Sequence, residues 1–376
     1  MIYFDNAATT GKKPESVVRA INYAMLNYCA NPGRSGHSSS EAAADMIYKT
    51  REKISDFFGA DGPENVAFTA NCTHSLNFVI KGVLTPKDHV IVSSLEHNAV
   101  MRPLVKSGVD YSCAQVSFFD DNETLKNIEA CIKSNTKMIL CTGASNVLGK
   151  TLPIEKIGML CRERGLLFGV DAAQTAGVLP INMKKMSIDY LCIAPHKGLY
   201  APMGTGILIC RKPLENTVIE GGTGTESYNF AQPSEMPEQC ESGTVNVPGI
   251  AGISAGIDYV KKIGLDKIYN HEMQLCGWMY NALKNSGKAI LYTPFPQKGL
   301  YAPIVSFNIA DMPSGEVAAK LNKNGIAVRA GLHCAATAHR EIGTIDVGVV
   351  RVSPAIFNTI SEAKRLIGVV EHIKKD

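Results

Sequence analysis

The sequence predicts an α/β protein, in which a mostly parallel β-sheet lies between helices and a smaller α+β domain follows at the C-terminal end. Residues 64–165 alternate between apolar strands and amphipathic helices, a pattern typical of a parallel sheet covered on both faces. Two further apolar strands follow at 190–194 and 206–210. A long helical stretch then runs from 251 to 282, and shorter strands and a helix follow it up to residue 331.

Two domains are expected because a chain of 376 residues exceeds the length at which one hydrophobic core normally keeps growing. We place the large domain at residues 15–255 and the small domain at residues 1–14 and 256–376. A long polar loop, 220–249, belongs to the large domain, and a loop of that length inside a compact domain usually has a function.

Composition narrows the class of protein. Hydrophobic residues make up 45% of the chain and charged residues 19%, and a net charge of +3 argues against a nucleic-acid surface or a membrane patch. The opening MIYFDNAATT lacks the pattern of a signal peptide, and no apolar run reaches the ~20 residues that span a bilayer. Eleven cysteines without metal-ligand spacing predict reduced thiols in the cytoplasm, and neither a disulfide framework nor a metal site.

The most informative stretch is the tight connection between the strands at 190–194 and 206–210, which carries Pro195, His196 and Lys197. Lysine is among the residues least often buried. Burial lowers the pKa of a lysine and leaves the neutral amine, which is the form that condenses with a carbonyl. From this stretch alone, a surface lysine at a strand end is an equally open interpretation.

A carboxylate upstream supports the buried interpretation. The apolar strand that begins near residue 165 ends in Asp171, which is followed by small residues and Gln174. Open α/β sheets bind ligands at the carboxyl ends of their strands. Asp171 and Lys197 are the two groups that pyridoxal 5'-phosphate requires, since the lysine attaches the cofactor and the acid keeps its ring nitrogen protonated. We therefore predict a pyridoxal-phosphate site at this edge of the sheet.

With these residues in place, the whole chain resembles the class V aminotransferase family of fold-type I pyridoxal-phosphate enzymes, and within it the cysteine desulfurases and selenocysteine lyases. The resemblance extends from YFDNAATT near the start to RVSPAIFNT near the end. It implies a large domain with a seven-stranded-type sheet, pyridoxal 5'-phosphate as the cofactor and L-cysteine or L-selenocysteine as the substrate. It also implies a homodimer and an acceptor protein for sulfur or selenium.

Several polar residues at strand ends are candidates for binding the cofactor. The Glu96-His97-Asn98 context implies that His97 stacks on the cofactor ring. Thr73 lies where a helix begins and backbone N–H groups bind phosphate, although N-capping alone explains a threonine there. In the resembling family the remaining cofactor contacts fall on Cys72, Asn146, Gln174, His196 and Thr244. The resemblance further implies that Thr244 reaches the phosphate site of the neighbouring subunit.

A second group of residues is predicted to bind the substrate. Arg351 carries a guanidinium fork suited to an α-carboxylate, and its R-V-S-P-A context matches the substrate-binding arginine of the family, whereas an ordinary ion pair is the alternative. The other predicted substrate contacts are Asn146, His37 and Arg329. His37 and Arg34 belong to the loop 31–43, which the resemblance places at a dimer interface; both are equally compatible with a solvated loop.

Cys334 is predicted to be the nucleophile that receives sulfur. It follows His333 in an R-x-G-x-H-C segment of small and polar residues, and nearby positive charge stabilises the thiolate. Only sixteen residues separate it from Arg351, which resembles the short-loop desulfurases. Those enzymes hold the thiol near the cofactor and often need an acceptor protein.

Three positions depart from the family pattern. Ala194 stands where relatives carry a serine or threonine that donates to the phosphate, Cys72 replaces a hydroxyl residue, and Leu332 replaces a histidine. We expect a modestly lower cofactor affinity from Ala194, because one hydrogen bond to a charged group is worth about 1.5–3 kcal/mol.

The predicted function is a cysteine desulfurase that converts L-cysteine to L-alanine, with His97 assisting proton transfer and the persulfide formed on Cys334. A selenocysteine lyase is a close alternative, and a class V aminotransferase or Cβ-lyase in which Cys334 is incidental is a further one. A sulfur-delivery scaffold without activity is disfavoured because Lys197, Asp171 and Arg351 are all present. The absence of G-x-G-x-x-G after the first strand argues against a nicotinamide-binding protein.

Overall fold

The computed structural model describes residues 1–33 and 35–374. Within them the strands are β1 (Ile2–Tyr3), β2 (Val66–Thr69), β3 (His89–Ser93), β4 (Asp110–Ala114), β5 (Thr136–Thr142), β6 (Leu167–Asp171), β7 (Tyr190–Ile193), β8 (Gly206–Cys210), β9 (Ala289–Leu291), β10 (Val305–Ile309), β11 (Ile326–Ala327), β12 (Arg329–Gly331) and β13 (Val349–Val352). The helices are α1 (Glu15–Asn27), α2 (Ser38–Phe58), α3 (Cys72–Val83), α4 (Asn98–Ser107), α5 (Asp121–Ala130), α6 (Ile154–Arg164), α7 (Val247–Ile263), α8 (Leu265–Asn285), α9 (Ser314–Lys323), α10 (Ala336–Glu341) and α11 (Ile360–His372), with a 3₁₀ turn at Pro63–Asn65. In this part of the chain no helix combines the length and apolar character needed to cross a bilayer.

The main sheet has seven strands in the order β2-β8-β7-β6-β5-β3-β4. Strand β8 is antiparallel to both of its neighbours, and the other adjacent pairs are parallel. Strands β3, β7 and β8 are buried along their whole length, as expected for strands that helices cover on both faces. The prediction of a mostly parallel, seven-stranded sheet between helices is confirmed.

A second, antiparallel sheet has the order β12-β13-β10-β9. Its own hydrophobic core includes Phe307 from β10, Leu275 from α8, Leu321 from α9 and Leu366 from α11. Phe4 joins this core from the N-terminal segment, where β1 pairs in parallel with β11. This arrangement agrees with a smaller α+β unit that includes the N-terminal residues, and the domain limits at 14/15 and 255/256 stay a prediction.

Helix ends differ in detail from the sequence-based expectations. Helix α2 begins at Ser38 because the His37 side chain accepts a hydrogen bond from the Ser40 N–H, and it ends at Gly59 in a left-handed conformation. Helix α3 is capped by Asn71, whose side chain accepts from the His74 N–H. The alternative of Thr73 as a plain N-cap is therefore wrong, since Thr73 lies inside the first turn.

Candidate active site

The carboxyl ends of the parallel strands meet around a cavity of about 110 Å³. Because these strands run in the same direction, the segments that follow them lie at one edge of the sheet. The polar or titratable residues that line the cavity are Asn71, Cys72, Thr73, His97, Thr142, Asn146, Asp171, Gln174, His196 and Lys197. Eight predicted cofactor-binding residues are thus brought together; Thr244 is the one that lies elsewhere.

Lys197 lies on the turn between β7 and β8, as the sequence predicted. Its position is fixed by two backbone hydrogen bonds, from the Lys197 N–H to the Ala194 carbonyl at 3.1 Å and from the Tyr200 N–H to the Lys197 carbonyl at 3.0 Å. Burial lowers the pKa of the Lys197 amine, and the Asp171 carboxylate opposes that shift. The amine is therefore closer to its neutral, nucleophilic form than a solvated lysine is.

Asp171 is the last residue of β6, and its carboxylate is held by short local contacts. Its Oδ1 atom accepts from the Ala173 N–H at 2.9 Å and lies 3.5 Å from the Cys72 Sγ. Burial, followed by the charge of Asp171, raises the pKa of the Cys72 thiol, so Cys72 stays protonated and donates to the acid. The structure therefore places Cys72 beside the carboxylate that would face the ring nitrogen.

His97 is the N-cap of α4, directly after the segment that follows β3. Its Nδ1 atom accepts from the Ala99 N–H at 3.0 Å, which assigns the proton of the neutral ring to Nε2. Burial is the main cause that lowers the pKa of His97. A neutral, oriented ring at this position suits stacking on a flat cofactor.

Glu96 is a buried acid that the sequence did not single out. It accepts from the Thr142 N–H at 2.9 Å and from the Ser93 N–H at 3.3 Å, and it also contacts the Ser93 hydroxyl. Burial raises its pKa to about 8, so it is neutral at pH 7. By joining β3 to β5, Glu96 fixes the backbone that carries His97. The sequence feature that could have identified Glu96 is its position between an apolar strand and His97.

His196 and Ala194 also line the cavity. The Nδ1 atom of His196 is buried and has no hydrogen-bond partner among the described residues, and burial lowers the pKa of the ring to about 4. The Oδ1 atom of Asn146 is likewise buried and has no hydrogen-bond partner among the described residues. Orphaned polar atoms that line a cavity indicate a polar group that belongs there, and these two, with Thr73, suit the phosphate and ring substituents of pyridoxal phosphate.

Arg351 lies on β13 and is only 1% exposed. Its Nη1 donates to the Asn146 carbonyl at 2.7 Å, and its Nη2 pairs with the Asp5 carboxylate at 2.8 Å. Its Nε has no partner within the described residues. Arg329, on β12, is the direct cross-strand neighbour of Arg351. Two guanidinium groups side by side concentrate positive charge where a substrate carboxylate is needed.

Cys334 lies on the loop between β12 and α10, and its side chain is exposed. His333 and Cys334 both have left-handed backbones, with φ of 51° and 57°. The Cys334 carbonyl accepts from the Asn98 N–H at 2.7 Å, which attaches the loop to the first residue of α4. Cys334 and His97 line one open groove, so the thiol lies beside the mouth of the cofactor cavity.

His333 does not supply the positive charge that the sequence suggested for Cys334. It is 3% exposed, and neither ring nitrogen has a hydrogen-bond partner among the described residues. Burial, reinforced by Arg351, lowers the pKa of His333 to about 3. Its ring stacks on His339, with centroids 6.0 Å apart. The ring is neutral and directed inward, so the thiol has to rely on other groups.

Five predicted site residues do not line this cavity: Arg351, Arg329, Cys334, His37 and Thr244. His37 caps α2 and is exposed. Thr244 is exposed on the loop after β8, where it lines a separate hollow of about 480 Å³. Glu241, three residues earlier, is held by a bidentate ion pair with Arg51, with N–O distances of 2.8 and 2.6 Å. Arg34 lies outside the described residues.

Comparisons with known proteins agree with this arrangement. Residues 2–366 match the profile of the Aminotransferase class-V family, so the chain belongs to that family. Its members depend on pyridoxal 5'-phosphate, which is the cofactor of this protein as well.

Individual relatives are more specific. A probable cysteine desulfurase from Pyrococcus abyssi is 32% identical, over 100% of this chain and 94% of the relative. One from Methanothermobacter thermautotrophicus is also 32% identical, over 99% and 94%. The apo structure of a cysteine desulfurase from Thermococcus onnurineus NA1 matches with a TM-score of 0.85 and 32% identity, covering 98% of this chain and 94% of that one.

Proposed function

We propose that this protein is a pyridoxal-phosphate-dependent cysteine desulfurase that converts L-cysteine to L-alanine and retains the sulfur on Cys334. The observation that carries the proposal is the position of an exposed thiol at the mouth of the lysine-containing cavity, attached through its carbonyl to the helix that His97 caps. A cofactor site alone would fit many reactions of the family. The thiol beside it specifies sulfur transfer.

The cavity residues hold the cofactor in this proposal. Lys197 would attach it, Asp171 would keep its ring nitrogen protonated, and the His97 imidazole would stack on it. Thr73 and His196 bind the phosphate, and Gln174, whose Nε2 donates to the Ala7 carbonyl at 3.0 Å, lies beside the lysine. When bound, pyridoxal phosphate supplies an electron sink for negative charge at the substrate Cα. Lys197 takes the Cα proton in its amine form.

Arg351 binds the substrate carboxylate. Its pairing with Asp5 keeps the guanidinium ionised in a buried position, and its Nε has no partner in the described part of the chain. Asn146 holds the arginine through its carbonyl and the thiol loop through its side chain, which donates to the His333 carbonyl at 2.8 Å. Arg329 adds positive charge next to Arg351. In this proposal the substrate is therefore bound between the cofactor site and the thiol loop.

Sulfur transfer is then a single displacement at the substrate sulfur. The Cys334 thiolate forms an S–S bond as the Cβ–S bond of the substrate breaks. The electron pair of the broken bond goes to Cβ, which takes up a proton and becomes the methyl group of alanine. Cys334 is left as a persulfide. An acceptor thiol removes the outer sulfur, and it approaches along the exposed groove that Lys81, Arg102 and Lys106 line beside Cys334.

A homodimer is part of the proposal. Within one chain Thr244 is remote from Thr73, and the loop that carries it also exposes Tyr228 and Phe230. Large exposed aromatic side chains on one loop favour an interface with a second copy. In that assembly Thr244 donates to the partner's phosphate site. Sedimentation showing a monomeric holoenzyme would contradict it. The eleven free cysteines support a reducing compartment, such as the cytoplasm, as its location.

Product analysis of Cys334→Ser tests the function. We expect the variant to bind pyridoxal phosphate normally but to lose alanine formation from L-cysteine by at least about 1,000-fold, because the nucleophile is gone. Cys113→Ser, which removes another exposed thiol, is the matched control and should retain activity. Alanine, pyruvate, sulfide and selenide are measured with both L-cysteine and L-selenocysteine.

The other candidate functions give different results. A selenocysteine lyase would keep its activity towards selenocysteine in Cys334→Ser, because a selenol is already ionised at neutral pH and eliminates without the thiol. Unchanged turnover of cysteine in the variant would exclude persulfide formation on Cys334 and favour an aminotransferase or a Cβ-lyase, the latter with pyruvate as its product.

A further inference from the structure

A second, smaller cavity lies on the other side of Lys197. It has a volume of about 40 Å³, and Lys197 and Gln174 line both it and the cofactor cavity. Its walls come from the lysine turn, the N-terminal segment, helix α8 and the segment after β13. One ordered water needs roughly 10–15 Å³, so about two or three waters fit.

A buried carboxyl group, Glu272, forms the far wall of this cavity. Glu272 lies on α8 and is 4% exposed. Its carboxyl interacts with the Tyr200 hydroxyl and the Ile356 backbone, which are neutral groups. Tyr200 belongs to the same turn as Lys197, and its N–H donates to the Lys197 carbonyl. A buried acid without a cation against it is costly to ionise, and burial raises the pKa of Glu272 to about 8.

Other titratable groups also surround Glu272. They are Tyr200 and Lys197 from the lysine turn, Cys276 from its own helix, Tyr259 of α7 behind Tyr200, and Lys13, whose Nζ donates to the Thr10 hydroxyl on the cavity wall. Burial raises the pKa values of both tyrosines and of Cys276, so these three stay neutral. Burial lowers the pKa of Lys13 to about 8, but this amine reaches only the Thr10 wall and does not line the cavity. Lys197 is the amine that lines the cavity together with Glu272.

The polar groups on the other walls suit bound water. Asn6, Thr10 and Ser353 line the cavity together with Gln174. Waters that bridge buried polar groups typically make two to four hydrogen bonds, and this set provides them. Among the hydrogen bonds and ion pairs of the described residues, none joins Lys197 directly to Glu272, so a connection between them requires water.

We propose that Glu272 is a positioning residue for the reaction, linked to the Lys197 amine through water in this cavity and exchanging a proton with it. In one direction the proton leaves the carboxyl, passes through the waters and converts the amine to an ammonium group, leaving a carboxylate. The reverse transfer restores the neutral pair. Lys197 needs both states, since it accepts one proton from the substrate and has to be able to return one. This proposal rests on the proposed function only in that the exchanged proton is used in the desulfurase reaction.

The first test is the pH dependence of Lys197 reactivity in the apoprotein, measured by an amine-reactive label and peptide mass spectrometry. In the wild type, Glu272 ionises as the pH rises through about 8, and the new negative charge stabilises the ammonium form of Lys197. In Glu272→Gln that charge is absent. We expect the labelling rates of the two proteins to coincide below pH 8 and to separate above it, with the variant reacting faster. Rates that coincide at every pH would overturn the link.

The second test is steady-state turnover of L-cysteine. We expect Glu272→Gln to lower kcat roughly 10- to 100-fold with little change in KM, less than the loss of about 100-fold or more expected for a group that itself acts as the acid or base, because Glu272 acts through Lys197. Glu272→Asp, which can still ionise, should restore part of kcat. Asp189→Asn removes another buried carboxyl, one that accepts from the Phe168 N–H outside this cavity, and it should leave kcat unchanged. Loss of thermal stability with an unaltered kcat would reduce Glu272 to a structural role.

A third variant tests the role of the cavity water independently of the Glu272 carboxyl group. Ala302→Val places a larger side chain in the cavity and leaves Lys197 and Glu272 intact. We expect it to abolish the effect of Glu272 on Lys197 labelling, and it provides the test if Glu272→Gln does not fold. An undiminished effect in Ala302→Val would contradict a link through water. Because labelling uses the apoprotein, a failure to form alanine from cysteine would leave this result interpretable.

Discussion

In the proposed reaction the cofactor cavity and the thiol loop act together, yet they are built in opposite ways. Lys197 and Asp171 lie at the ends of buried parallel strands, where the sheet fixes their positions and burial shifts the pKa values of the amine and its neighbours. Cys334 lies on an exposed loop with a left-handed backbone, attached to the cavity by hydrogen bonds from the Asn98 N–H to the Cys334 carbonyl and from the Asn146 side chain to the His333 carbonyl. Proton chemistry requires a fixed environment closed to bulk solvent, whereas sulfur delivery requires access to a second molecule.

The largest expected effect comes from removing the lysine of the cofactor cavity. Lys197→Ala removes the group that attaches the cofactor and moves the Cα proton, so alanine formation should fall at least about 1,000-fold. Lys150→Ala is the control, since it removes another lysine, one that is 1% exposed and pairs with Asp121 at 2.9 Å. Alanine formation and the absorbance of the lysine-bound cofactor are measured together. Residual turnover within tenfold of wild type would assign the proton to another group.

A smaller effect is expected where the cavity departs from the family pattern. Ala194→Ser adds a hydroxyl to the cavity wall near His196, and we expect roughly tenfold tighter binding of pyridoxal phosphate, close to the lower limit for a hydrogen bond to a charged group. Fluorescence titration of the apoprotein measures the dissociation constant. Ala176→Ser, at a buried position outside the cavity, controls for the added oxygen. Equal affinity in both variants would mean that the partner subunit and Thr73 already satisfy the phosphate.

The smallest effect is expected in the loop. Leu332 is 40% exposed beside Cys334, and Leu332→His places a titratable ring there. Because His333 is buried and neutral, the new histidine should stabilise the thiolate and raise the alkylation rate of Cys334 about two- to threefold at pH 7. Leu332→Gln provides polarity without charge for comparison. If both variants reacted alike, positive charge at this position would be irrelevant to the thiol.

The sequence predicted the residues of the cofactor cavity more completely than the surroundings of the Cys334 thiol, for a physical reason. Strand ends and their polar residues are local features, so Lys197, Asp171 and His97 could be placed at one sheet edge from the chain alone. The inward direction of His333 depends on its packing against Arg351 and His339, which lie elsewhere in the sequence.

Buried acids were missed for the same reason. Glu272 occupies an ordinary position in an amphipathic helix, and its burial follows from contacts with Tyr200 and Ile356, about 70 to 80 residues away on either side. Glu96 was closer to recognition, because a charged residue directly after an apolar strand and before His97 is unusual. Its contact with the Thr142 N–H on a neighbouring strand was not predictable from local pattern.

The hydrogen bond between the Asn98 N–H and the Cys334 carbonyl also limits how far a sulfur atom can travel. With its backbone tethered, residue 334 can reorient its side chain but cannot carry cargo away from the entrance as a long swinging arm would. An acceptor must therefore bring its own nucleophilic thiol to Cys334. In the proposed reaction the tether therefore localises the transferred sulfur at the mouth of the cofactor cavity, where the exposed groove admits an acceptor thiol.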